Sequence, residues 1–165
     1  MQMQNWAREN TPEDALFMPD PSTYGGWRDV SRRASFGTAT EWLHNAWLYD
    51  SDPALFKEGL RRFGLLGLEP ESFYGIGDSI DARRALSRAV SESYYGASPE
   101  WFAALARNEG INYFIFDRSK LPKPPAGMSL AFENEKFSIY APPPGETASE
   151  SSDAGGAPKL APIGK

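Results

Sequence analysis

The residues of this chain best suited to hold a charged or sugar-like ligand fall in one stretch, Pro19 to Arg33: Asp20, Tyr24, Trp27, Arg28, Arg32 and Arg33. A guanidinium fork matches the oxygens of a phosphate or carboxylate, and an aromatic ring can stack on a sugar ring. If the turn from Trp27 to Arg32 is helical, Arg28 and Arg32 are four apart, project from one face and bracket an anion together. Gly25 and Gly26 would let the backbone approach such a ligand closely. The same residues admit a structural reading. In it Arg28 pairs with Asp29 or Asp117, Arg32 and Arg33 are solvated, and Tyr24 and Trp27 seal the core edge.

Other chemistry-bearing residues are scattered. His44 is the only histidine and lies between Trp42 and Trp47, so a catalytic or metal role would need partners from elsewhere in the chain. Tyr74-Gly75-Ile76-Gly77-Asp78 has two glycines before a helix but lacks the third Gly and the Lys of a phosphate loop, and reads as a connector. Arg83, Arg84 and Arg88 sit on the polar face of a long helix, either solvated or, beside a bilayer, meeting anionic head groups. The absence of cysteine removes disulfides, thiolate metal ligands and a thiol nucleophile. No nucleophile and base stand at a useful spacing, so neither a catalytic residue, a metal nor a cofactor is expected.

These residues need a frame, and 165 residues with 41% hydrophobic content provide one core of ordinary size, hence one domain. A net charge of −5 argues against a general nucleic-acid surface, which requires clustered Lys and Arg facing phosphates. A local basic patch stays compatible with that total. No stretch approaches the roughly 18 to 20 apolar residues of a spanning helix, and no leader-like apolar segment opens the chain. From residue 142 onward Pro, Gly, Ala and Ser dominate, a composition expected to stay disordered. Residues 1–141 are expected to form the folded unit.

Within that unit the apolar pattern switches period repeatedly. Leu16 to Met18 and Ala34 to Phe36 are short enough for buried strands. Thr40 is the expected N-cap of a helix carrying Trp42, Leu43, Ala46 and Trp47, and Pro53 starts another with Phe56, Leu60 and Phe63 on one face. Asp78 or Ser79 caps a long helix that Gly96 closes, and Ser98-Pro99-Glu100 opens the next. After Gly110 comes the best strand, Ile111 to Asp117. Leu130 to Glu133, the turn Asn134-Glu135, and Lys136 to Tyr140 predict a hairpin by strict alternation. The expected fold class is α/β: a small three-layer, mostly parallel sheet with an antiparallel C-terminal hairpin at its edge and a helical insertion.

The string Glu9-Asn10-Thr11-Pro12-Glu13-Asp14-Ala15 with its apolar follower, the strand "EGINYFIFD" and the closing "ENEKFSIYAPP" hairpin together resemble the C-terminal soluble extracytoplasmic α/β domain of polytopic bacterial membrane proteins related to lipid-phosphosugar-dependent glycosyltransferases. The resemblance spans residues 4–141. It implies a non-catalytic accessory domain that packs on the transmembrane portion of the same protein and contributes to binding a lipid-linked sugar or an acceptor. It also implies an extracytoplasmic location, against a cytoplasmic one if Met1 is a natural start. In the oligosaccharyltransferase members, the loop after the first strand carries a Trp-Trp-Asp motif that reads an acceptor peptide. Here the tandem Trp pair is absent and only Asp20 and Tyr24-Gly25 echo it, so peptide recognition is not carried over. The alternative is a free-standing α/β module for a small, phosphate-bearing anion.

Overall fold

A computed structural model describes residues 1–23, 26–47, 52–73, 75–121, 123 and 125–142, with the side chains of 44–47 excepted. Tyr24 and the chain from 143 onward, including the expected disordered segment, lie outside the described residues. The elements are α1 (Gln2–Asn10), β1 (Leu16–Met18), α2 (Trp27–Ser31), β2 (Ala34–Ser35), α3 (Ala39–Trp47), α4 (Pro53–Leu65), a 3-10 turn (Pro70–Phe73), α5 (Ser79–Tyr95), α6 (Pro99–Glu109), β3 (Tyr113–Asp117), β4 (Ser129–Glu133) and β5 (Phe137–Ala141).

The five strands form one mixed sheet in the order β2-β1-β3-β5-β4. β1 runs parallel to β2 and β3, while β5 is antiparallel to both β3 and β4. The fold is therefore the expected α/β class, with a parallel half, the hairpin at one edge, and α3 to α6 inserted between β2 and β3. Parallel strands need crossover connections, and the short α2 and the long α3–α6 excursion supply them.

Both faces of the central strands are covered, which explains why β1 and β3 read as unbroken apolar runs rather than alternating ones. Along β3, Phe114 and Phe116 enter one core with Met18, Trp42, Tyr94 and Phe102. Ile115 faces the other way, into a smaller core with Ala7, Phe17, Trp27 and Ile139. The Tyr94 hydroxyl, buried under α5, donates to the Ile115 carbonyl at 3.1 Å. Burial pushes that phenol well above its ordinary value, so it serves as a neutral donor.

Local cap chemistry sets most boundaries. Asp52 accepts from the Ala54 and Leu55 N–H groups at the start of α4, Asp78 from Ile80 and Asp81 at the start of α5, and Ser98 from Trp101 in α6. Gly110, with φ at 72°, ends α6 in the left-handed region where a Cβ is strained. Two expectations need correction. The cap of α3 is Thr38 rather than Thr40: Thr38 Oγ1 accepts from Glu41 N while Glu41 Oε2 accepts from Thr38 N, a reciprocal capping box. The hairpin does not alternate strictly, because Leu130 opposes Tyr140 and Phe132 opposes Ile139, leaving Ala131 as an extra residue in a bulge. The turn considered after Trp27 is helical, as α2, and ends one residue before Arg32.

Arg61 clamps α4 to α6. It donates to Glu58 at 2.7 Å and to Glu109 at 2.6 Å. This pairing holds the Glu58 carboxyl down from 4.5 to about 2, chiefly through the Arg61 hydrogen bond. A depressed carboxyl contributes stability that is complete above 4.5 and lost as the pH falls through about 2. Because the two side chains are 44% and 32% exposed, solvent screening reduces the effect to about 1 kcal/mol. Glu58→Gln should accordingly lower the urea midpoint at neutral pH, and the gap to wild type should close as the pH drops from 4.5 toward 2. A gap that persists at pH 2 would assign the loss to packing rather than charge.

Candidate functional site

Asp20 follows β1 at the carboxyl end of the parallel strands, the position from which ligands of open α/β sheets are usually met. Its carboxylate is 3% exposed and accepts four hydrogen bonds. Oδ1 takes the Ser22 N–H at 2.8 Å and the Ser22 hydroxyl at 2.6 Å, and Oδ2 takes the Tyr95 hydroxyl at 3.0 Å and Lys120 Nζ at 2.9 Å. The Tyr95 oxygen accepts in turn from the Asp117 N–H at 2.9 Å, so the network ties the ends of β1, β3 and α5 together. Burial, then the nearby Asp20 charge, drives the Tyr95 phenol far above its ordinary value. Lys120 Nζ also reaches Ser22 Oγ at 3.2 Å and Ser91 Oγ at 3.4 Å, placing all three of its donors.

Above this network lies a groove of about 860 Å³ between α3 and α5. Lys120, Ser22 and Ser91 line it together, and α5 also contributes Ile80, Arg83, Arg84, Ser87 and Arg88. The spacing i, i+3, i+4, i+7, i+8, i+11 from Ile80 keeps that side of the helix turned into one groove. Arg84 stands 3.8 Å from Asp81, whereas Arg83 and Arg88 have no ion pair among the described residues. Four cations and several hydroxyls thus line one concavity in a chain whose total charge is −5.

The arginines of the 19–33 stretch lie on the opposite side of the sheet, with α1 and α2. α2 ends at Ser31 and Arg32 adopts φ 52°, so Arg28 and Arg32 do not share a helix face as the four-residue spacing would require. Arg28 is exposed and donates to the Ser35 carbonyl at 3.0 Å, with neither Asp29 nor Asp117 as its ion-pair partner. Arg33 is buried and donates to Thr11 Oγ1, to the carbonyls of Thr11 and Arg8 at the end of α1, and to the Arg32 carbonyl. Trp27 packs on Phe17 at 4.8 Å, and its Nε1 has no hydrogen-bond partner among the described residues.

Trp27 and Asp20 also line a second, mostly apolar cleft of about 470 Å³ on the α1 side, with Pro19, Ile115 and Phe137. Tyr24 and the side chain of His44 fall outside the described residues. Gly75 and Gly77, with φ 88° and 56°, form the bend before α5. Among the described residues no group of three His, Asp or Glu side chains converges as metal ligands. No helix among them is long and apolar enough to cross a membrane.

Lys120 and Tyr95 were not singled out by sequence reasoning. They reach Asp20 across 100 and 75 positions, and no local pattern marks either one. Set against protein-family models, curated proteins and solved structures, the chain finds no match.

Proposed function

We propose that this chain is a non-catalytic α/β binding module of a membrane glycosyltransferase-like protein, placed on the extracytoplasmic side against the membrane-spanning part. In this reading it holds a phosphate-bearing ligand, such as a lipid-linked sugar, in the groove between α3 and α5. The observation that carries the reading is the convergence of Arg83, Arg84 and Arg88 on that groove, while Lys120 in its wall is committed to Asp20 and the two serines. Among the described residues Arg83 and Arg88 have no carboxylate at ion-pair distance, which suits their donors to ligand oxygens. The saturated hydrogen bonding of Asp20 and Lys120 supports binding without chemistry.

Titration of a sugar phosphate into the wild type at two salt concentrations tests it. Arg88→Ala should weaken binding about tenfold, equivalent to about 1.4 kcal/mol, while Arg28→Ala on the other face of the sheet should leave affinity unchanged. Loss of binding in Arg28→Ala with none in Arg88→Ala would return the site to the 19–33 stretch. No binding to the wild type would end the proposal.

A further inference from the structure

Along α5 the character of the groove changes in one direction. Ser91 lies 3.4 Å from Lys120, and back along the helix toward its first turn the lining residues are Arg88, Ser87, Arg84, Arg83 and Ile80. Ile80 is 54% exposed, and Ile76 in the bend just before the helix is 43% exposed. These are two of the five large hydrophobic residues that stand exposed among the described residues, and they sit four positions apart beside the arginines. Isolated exposed apolar side chains need no explanation, but a pair of them flanked by basic residues is the composition of a segment that lies in a bilayer interface.

We infer that the bend 75–78 and the first turns of α5 rest on an anionic bilayer surface, with Ile76 and Ile80 immersed and Arg83 and Arg84 at the level of the lipid phosphates. The helix geometry fits the depth of that layer. A rise of 1.5 Å per residue places Arg83 and Arg84 roughly 5–6 Å above Ile80 along the axis, and the headgroup region is roughly 5–7 Å deep on each side of the hydrocarbon. Arg88 stands roughly 12 Å above Ile80, where it faces the groove rather than the lipid. Two acids lie nearby. Asp78 is turned into the helix end, accepting from Ile80 N and Asp81 N, and Asp81 stands 3.8 Å from Arg84. Arg83 has neither as an ion-pair partner. The inference deepens the proposed function, on which it rests in part: a groove that opens at its apolar end onto lipid takes its phosphate from an amphiphile held in that membrane.

Flotation with vesicles of phosphatidylglycerol and phosphatidylcholine, against phosphatidylcholine alone, tests the surface. The protein should bind the anionic vesicles and lose most of that binding at high salt. Ile76→Ser with Ile80→Ser should reduce partitioning about tenfold with the circular dichroism spectrum unchanged, since both side chains are exposed. Arg83→Gln with Arg84→Gln should reduce it roughly 25-fold, at roughly fivefold per basic residue.

The wild type and the isoleucine double variant are titrated with glycerol phosphate to follow the groove alone. Groove binding without vesicle binding would overturn the membrane contact and leave the proposed function standing. Failure of both would remove both. Vesicle binding undiminished by the isoleucine changes would reduce the contact to charge alone and overturn the immersed geometry. Lipid-free self-association abolished by those changes would make the patch an interface between two copies instead.

Discussion

Asp20→Asn should lower the unfolding free energy by about 3 kcal/mol and the Tm by roughly 10 °C. The buried carboxylate accepts from Ser22 N and Oγ on one oxygen and from Tyr95 and Lys120 on the other. An amide of the same shape offers one acceptor and one donor, so its NH2 must face either the Ser22 donors or the Lys120 ammonium and Tyr95 hydroxyl. Donors set against donors leave buried groups unsatisfied, which is the expensive outcome. Lys120→Met is the comparison: it removes the ammonium 2.9 Å from a carboxylate that is 3% exposed but leaves the three other hydrogen bonds to Asp20, so it too should destabilise, by about 2 kcal/mol. Thermal melts of both variants give the comparison. If Asp20→Asn is as stable as wild type but loses ligand affinity, Asp20 belongs to the binding machinery and not to the frame beneath it.

Arg33→Met should be nearly as damaging, at about 3 kcal/mol. Arg33 is 8% exposed and its guanidinium serves carbonyls that the end of α1 leaves without helical partners, those of Arg8 and Thr11. It also holds the Thr11 hydroxyl at 3.1 Å, which itself donates to the Ala7 carbonyl. A positive group at a helix C-terminus gains further from the helix dipole. Methionine fills the volume but leaves the carbonyls orphaned. Arg33→Lys should recover only part of the loss, since a single ammonium cannot reproduce the planar fork. Urea unfolding of the two variants measures this. Full recovery by lysine would show that charge alone matters and that the fork geometry does not.

The parts legible in the sequence were those written in neighbouring residues. Pro53, Asp78 and Ser98-Pro99 announced their helices, the prolines by suiting a first turn and the caps by acting on N–H groups two and three positions away, although the Asp52 cap before Pro53 was not read. The strand before Asp117 was legible because burial on both faces leaves a continuous apolar run. Thr38-Ala39-Thr40-Glu41 held a readable capping box, but Thr40 stands closer to the apolar face and drew the assignment. α2 spans 5 residues, too few for a helical period to fix its end, and it stops at Ser31, before Arg32 could join Arg28 on one face.

The candidate site was less legible because its parts come from separate elements. Asp20, Tyr95 and Lys120 meet only once the sheet exists, and Arg83 and Arg88 look like any solvated helix face until α3 closes the other wall of the groove. Arg33 carries no local sign that its partners lie 22 and 25 positions earlier.

The pairing of β1 with β3 also sets a timetable for the growing chain. Leu16 N donates to Asn112 Oδ1 across 96 positions, and Phe17 lies beside Tyr113 in register. At a synthesis rate of roughly 5–20 residues per second, β1 leaves the ribosome roughly 5–20 s before its central neighbour exists. Through that interval Phe17 and Met18 have only β2 beside them, a strand of 2 residues. The helices α3 to α6 emerge in between, rich in local contacts and able to form first, so the last event is the closing of the sheet around them. A nascent chain halted before residue 113 would hold its helices and lack the parallel centre on which both cores are built.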